Sequence, residues 1–150
     1  MTGIDDIKAM ALAYGACSKV LGITSIKEAV ELLMTPQGRE FAAKSGFPTL
    51  QMCRECSFEL SRIPRVLLDT SSPMICGQDL LAIGDTKVTA VFSEPDRLHR
   101  IVAMHGAKVT VKATNYAVVT ISSYNSEVVT ETDGTALIYV EESGMKGGES

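Results

Sequence analysis

Apolar positions follow two different rhythms along this chain, and the change falls near Pro64. Before it, apolar residues recur at helical spacing and β-branched residues are scattered. After it, Val, Ile and Thr fill short runs separated by Gly, Asp, Asn and Ser. Helices first and strands afterwards predict an α+β fold. The predicted parts are a helical module over residues 1–64, a β-rich repeat region over 65–140 and a polar tail over 141–150.

The helical half is punctuated. Ile4, Ile7, Ala11, Tyr14, Cys17 or Ser18, and Leu21 run down one face of a first helix, with Gly22 as its expected left-handed cap. Ser25 and Glu28 have capping-box spacing and open a second helix through Ala29, Val30, Leu32 and Leu33. Thr35-Pro36 starts a third helix and Ser45-Gly46 ends it. A fourth is expected from about Pro48 to Ser61, stopped by Ile63-Pro64. Gly38 lies in the first turn of the third helix, where glycine costs about 1 kcal/mol against alanine. It therefore predicts close approach of another backbone, best met by a helix crossing within the chain.

The second half repeats. Leu81-Ala82-Ile83 and Lys87-Val88-Thr89 return as Val102-Ala103-Met104 and Lys108-Val109-Thr110, an offset of 21 residues from Lys87 to Lys108. A ten-residue register overlaps it, through Val109-Thr110, Val119-Thr120 and Val129-Thr130, with Asn115 and Asn125 at turns. Two strands per coil of about 20 residues is the arithmetic of a short β-solenoid. One sheet would stack runs near 81–83, 101–104, 117–121 and 135–140, and the other 87–92, 108–112 and 127–131. Matched valines would fill the interior, and Thr110, Thr120 and Thr130 would adjoin one another outside. The alternative is an antiparallel β-sandwich, which also spaces strands by 8–12 residues.

Composition narrows the class. Hydrophobic residues make up 45% of the chain, enough for a core, and with no Trp and 5% aromatics that core must be aliphatic. The net charge of −4 argues against a nucleic-acid partner. No apolar run approaches the ~18 residues of a membrane span, and Asp5 and Asp6 stand where a signal peptide is basic. The four cysteines then read as reduced thiols, which suits a cytoplasmic protein.

Candidate chemistry is sparse. Cys53-x-x-Cys56 offers two zinc ligands where four are needed, and both residues continue an apolar helical stripe from Leu50 to Leu60, so buried thiols are expected. His99 and His105 flank a strand, and His105-Gly106 occupies the turn held by Gly84-Asp85 one repeat earlier, where a solvated role is expected. Asp85, Asp96 and Asp133 fall in turns that favour aspartate. Arg54, Arg62 and Arg65 are balanced by acids and read as a solvated face. Phosphate-binding, zinc-protease and nucleophile-elbow motifs are missing. No catalytic, cofactor-binding or metal residue is predicted.

Two segments carry a resemblance. Thr35-Pro36-Gln37-Gly38-Arg39-Glu40-Phe41 with Gly46-Phe47-Pro48-Thr49-Leu50 is one, and Met104-His105-Gly106-Ala107-Lys108 with Asn115-Tyr116-Ala117-Val118-Val119 is the other. Together they resemble an uncharacterised family of small proteins from Bacteroides-type gut bacteria and their phages or mobile elements. The resemblance spans roughly residues 1–140 and implies a phage or prophage origin, with no assigned chemistry.

The expectation is a non-enzymatic structural or protein-interaction protein, an accessory or virion component if phage-encoded. A carbohydrate-binding or carbohydrate-processing solenoid and a zinc-binding regulator are the alternatives. The last predicted strand, Thr135 to Val140, is apolar on both faces and holds no Lys or Pro to blunt its edge. It predicts a homo-oligomer that buries Leu137, Ile138 or Tyr139; the alternative is a monomer in which the tail or the helical module covers the strand, and a protein partner is a further expectation.

Overall fold

The computed structural model describes residues 4–13, 15 and 21–143, in which five helices precede nine strands. The first helix is shorter than its spacing predicts: α1 (Ile4–Ala13) stops before Tyr14, and the left-handed residue is Gly15 (φ +100°), not Gly22. The expected stripe positions Tyr14, Cys17 and Ser18 lie outside the described residues. α2 (Ile26–Leu33) starts as the capping box requires, with the Glu28 N–H donating to Ser25 Oγ at 3.1 Å. The Glu28 carboxylate reaches back one residue further, accepting from both the N–H and the hydroxyl of Thr24. α3 (Pro36–Ser45) is capped by Thr35, whose hydroxyl accepts from the Gly38 N–H, and ends at left-handed Gly46.

The single fourth helix expected from Pro48 to Ser61 is two. Thr49, not Pro48, provides the cap of α4 (Leu50–Glu55) by accepting from the Met52 N–H, and the chain turns at Cys56 before α5 (Ser57–Ser61). The turn lets Cys53, Cys56 and Leu60 all face one core.

From Val66 onward the chain coils. Strands β1 (Val66–Leu68), β3 (Leu80–Ile83), β5 (Leu98–Met104), β7 (Val118–Tyr124) and β9 (Leu137–Ser143) stack into one sheet. Strands β2 (Ser71–Cys76), β4 (Lys87–Phe92), β6 (Lys108–Ala113) and β8 (Glu127–Thr132) form the other. Every pairing is parallel, so the C-terminal half is a β-solenoid of roughly four turns and the antiparallel sandwich is set aside.

Alternation along each strand fills the interior. Val88, Val109 and Val128 form one column, and Ala90, Val111 and Thr130 the next. Ile101, Ile121 and Val140 face them from the opposite sheet. Bulk is traded between levels: Phe92 stacks over Ala113, and its ring lies 4.5 Å from that of His99. One corner is a stack of left-handed residues, Asp69, Gly84, His105 and Asn125, each directly after its strand. There the ladder continues across the bend, as in Gly84 N–H to Met104 C=O at 2.9 Å and His105 N–H to Tyr124 C=O at 3.0 Å.

Three details depart from the repeat arithmetic. The 21-residue offset holds between β4 and β6, but Lys108 then pairs with Glu127, an offset of 19. Thr110 therefore stands beside Val129, not Thr130, and Thr120 belongs to the other sheet, so the predicted threonine row does not form. The ten-residue register relates strands on opposite sheets. β1 and β2 escaped prediction because one has three residues and the other contains Pro73. β9 carries the solenoid to Ser143, into the stretch expected to be tail.

The helices cover the outer face of the five-stranded sheet near the strand ends. Leu81, Ile83, Val102 and Met104 point outward there and pack against Val30, Met34, Ala42 and Leu60. This explains why β3 and the second half of β5 are buried on both faces, while β4 and β6 alternate with solvent. Gly38 sits where α3 meets α2, its Cα facing the backbone of Leu32 and Leu33, which is the predicted helix crossing. Gly46 is pressed just as closely on the Tyr124 ring.

Candidate functional site

The two ends of the solenoid are finished differently. At the start, α5 and the residues after it lay Leu60 and Ile63 against Val66, and Pro73 removes an N–H from the edge of β2. At the other end β9 pairs only with β7 and β8 only with β6, which leaves the outer edges of both strands open among the described residues.

The interaction residues expected from sequence divide between two faces of β9. Leu137 and Tyr139 point outward and are 53% and 58% exposed, continuing the outward rows of Leu98 and Val118, and of Arg100 and Thr120. Ile138 instead points into the solenoid beside Val119 and is half-buried against its core. The sequence reading missed Val140, an inward residue left 41% exposed because no described strand pairs beyond β9, and Val129 on the outer face of β8. The interior turns polar on one side only: Val111 and Ala113 give way to Thr130 and Thr132, whereas Ile121 is followed by Val140. Residues 113–143 contain Glu127, Glu131, Asp133, Glu141 and Glu142 and no Lys or Arg.

A second feature lies in the helical module: a cavity of about 380 Å³, open to solvent on one side. Ile7 and Ala11 of α1, Leu32 and Leu33 of α2, Phe41 of α3, and Leu81 and Ile83 of β3 line it. Glu40 and Lys44 stand at its rim and pair with each other at 2.8 Å. The Thr35 hydroxyl is satisfied too, donating to the Leu32 carbonyl at 2.7 Å.

Cys53 and Cys56 also border this cavity and are buried as expected. Burial, then the neighbouring Cys56 and Asp69, pushes the Cys53 thiol up to about 12, and burial raises Cys56 as well. Both therefore stay protonated at neutral pH and are poor nucleophiles. Among the described residues no three His, Cys, Asp or Glu side chains gather as a metal site. Cys17 lies outside them.

The histidines are structural. His105 is not the solvated turn residue expected: its Nε2–H donates to the Pro48 carbonyl at 2.7 Å and its ring meets Tyr124 edge-on at 5.5 Å, tying helices to solenoid. His99 is fully buried; its Nδ1 finds no hydrogen-bond partner among the described residues, and its Nε2 lies 3.4 Å from the Glu94 carbonyl. Arg54, read as solvated, grips Asp69 with two hydrogen bonds of 2.9 and 3.1 Å, while Asp69 accepts a third from the Asp85 N–H. Asp133 serves its own turn, accepting from Thr135.

No described helix is long and apolar enough to cross a membrane. Compared with protein-family models, curated proteins and solved structures, the chain matches none.

Proposed function

We propose that this protein is a non-enzymatic interaction module that joins to a second copy of itself through the last coil of its solenoid. One observation carries the reading: β8 and β9 leave their edges open while Val129, Leu137, Tyr139 and Val140 remain exposed beside them. A parallel sheet edge presents alternating N–H and C=O groups that another strand can satisfy. Within the helical module α5 packs on β1 and so covers the first coil, while α3 lies against β7 and β9. The resemblance to gut-bacterial and phage proteins suggests an accessory or virion component as the setting.

Two last coils meeting edge to edge would bring like-charged carboxylates together, so association should strengthen with salt. Sedimentation equilibrium across micromolar concentrations, at low and high salt, tests this. The expected result is reversible self-association that is weakened by Val140→Lys, which places a charge at the open end of the core. A monomer under all these conditions refutes the proposal.

A further inference from the structure

We propose that the cavity of the helical module is a binding site for an uncharged, single-chain lipid-like molecule, with its hydrocarbon tail between α1, α2 and α3. The volume of about 380 Å³ falls in the range of small-ligand sites and is many times the ~30 Å³ that one water occupies in the liquid.

The chemistry of the lining selects the tail. Ile7, Ala11, Leu32, Leu33 and Phe41 offer carbon to an occupant. The Thr35 hydroxyl is already engaged, donating to the Leu32 carbonyl and accepting from the Gly38 N–H. A ligand with buried polar groups would leave them unsatisfied, whereas a hydrocarbon loses nothing and sheds its water. Branched walls and the phenyl ring of Phe41 make a slot suited to a flexible chain.

The rim selects the head. Glu40 and Lys44 lie one turn apart on α3 and neutralise each other at 2.8 Å, so neither awaits a counter-charge. An anionic head would meet Glu40 beside Lys44, and a cationic head Lys44 beside Glu40, so neither finds a net counter-charge at the mouth. A hydroxyl head needs none and can hydrogen-bond there. α1 is tied to the chain ahead of α2 by Lys8 Nζ, which donates to the Ile23 carbonyl at 3.0 Å.

The experiment titrates the full chain with 1-decanol, decanoate and decylammonium, using calorimetry and ligand-dependent melting. The expected result is saturable one-to-one binding of 1-decanol with a concentration-dependent rise in melting temperature, and at least tenfold weaker binding of both charged probes. Ala11→Trp fills the cavity from α1 and should abolish 1-decanol binding while leaving the solenoid's circular dichroism unchanged. Should that variant fail to fold, Ala29→Leu narrows the same space with a smaller side chain and should weaken binding at least tenfold. No saturable binding of 1-decanol, undiminished binding by the folded filled variant, or a charged probe binding as tightly would overturn the proposal. The oligomer proposal stands or falls separately, since its readout is self-association of the parent chain with no ligand added.

Discussion

Replacing Gly38 with alanine reverses the usual sign of a glycine substitution in a helix. In an exposed helix interior the change gains ~0.8–1.0 kcal/mol from backbone propensity. Here an added Cβ would lie 2.7 Å from both the Cα and the carbonyl oxygen of Leu33, closer still to the Leu32 carbonyl oxygen, and ordinary contact begins at 3.4 Å. The obstacles are backbone atoms of α2, so no side chain can rotate away and α3 must shift. Overpacking of this kind costs ~1–3 kcal/mol, and rigid backbone puts the site at the upper end. The expected net loss is about 2 kcal/mol, which lowers Tm by ~4–8 °C in a chain of this size. Thermal and urea unfolding followed by circular dichroism measure it. Gly22→Ala is the control: nothing lies within 4 Å of its added Cβ and its φ is not left-handed, so it should be neutral or stabilising by ~0.4–1 kcal/mol. If Gly38→Ala melts at or above the parent protein, the close crossing of α2 and α3 does not constrain the module and the reasoning fails.

Other sites give sharp expectations. Thr35→Ala removes the cap of α3 and the donor to Leu32 and should cost about 1 kcal/mol in urea unfolding. His99→Leu removes a buried Nδ1 with no partner among the described residues at the cost of the long Nε2 contact with the Glu94 carbonyl, so it should raise stability by about 1 kcal/mol; a loss would mean that the Glu94 and Phe92 contacts outweigh desolvation. Alkylation of the native protein followed by peptide mapping should label exposed Cys76 and spare Cys53 and Cys56 until unfolding. The hydrogen bond from Arg54 holds the Asp69 carboxyl below the ordinary aspartate value of ~3.9, so its contribution is present above that pH and is lost as pH falls through the lower folded value. Asp69→Asn should therefore be less stable than the parent near neutrality, with the gap closing below about pH 4.

The solenoid was legible because its cause is local. Lys87-Val88-Thr89 and Lys108-Val109-Thr110 repeat, and the parallel ladder pairs them residue for residue. The same legibility had limits in the first coil, where Lys87 pairs with Ser71 at an offset of 16 and no triplet is preserved. Which sheet the helices would cover was written in the pattern too, though it was not read. Leu80-Leu81-Ala82-Ile83 and Ile101-Val102-Ala103-Met104 are continuously apolar, whereas Lys87–Phe92 alternates. Only a strand buried on both faces needs the first pattern.

The two candidate sites differ in legibility for a reason that bears on what each can do. The open end is a property of one strand, so the apolar run from Thr135 to Val140, with no Lys or Pro in it, announces an unblunted edge, even though it hides which of Leu137, Ile138 and Tyr139 points inward. The cavity belongs to no single segment. Ile7, Leu33, Phe41 and Leu81 each read as ordinary core positions, and the space between them arises because α2 and α3 cross at Gly38, where a larger residue would force the helices apart. Leu32, Leu33 and Gly38 border the cavity themselves, so the close contact at the α2–α3 connection and the cavity share the same residues. A variant that separates α2 from α3 should alter ligand uptake at the cavity.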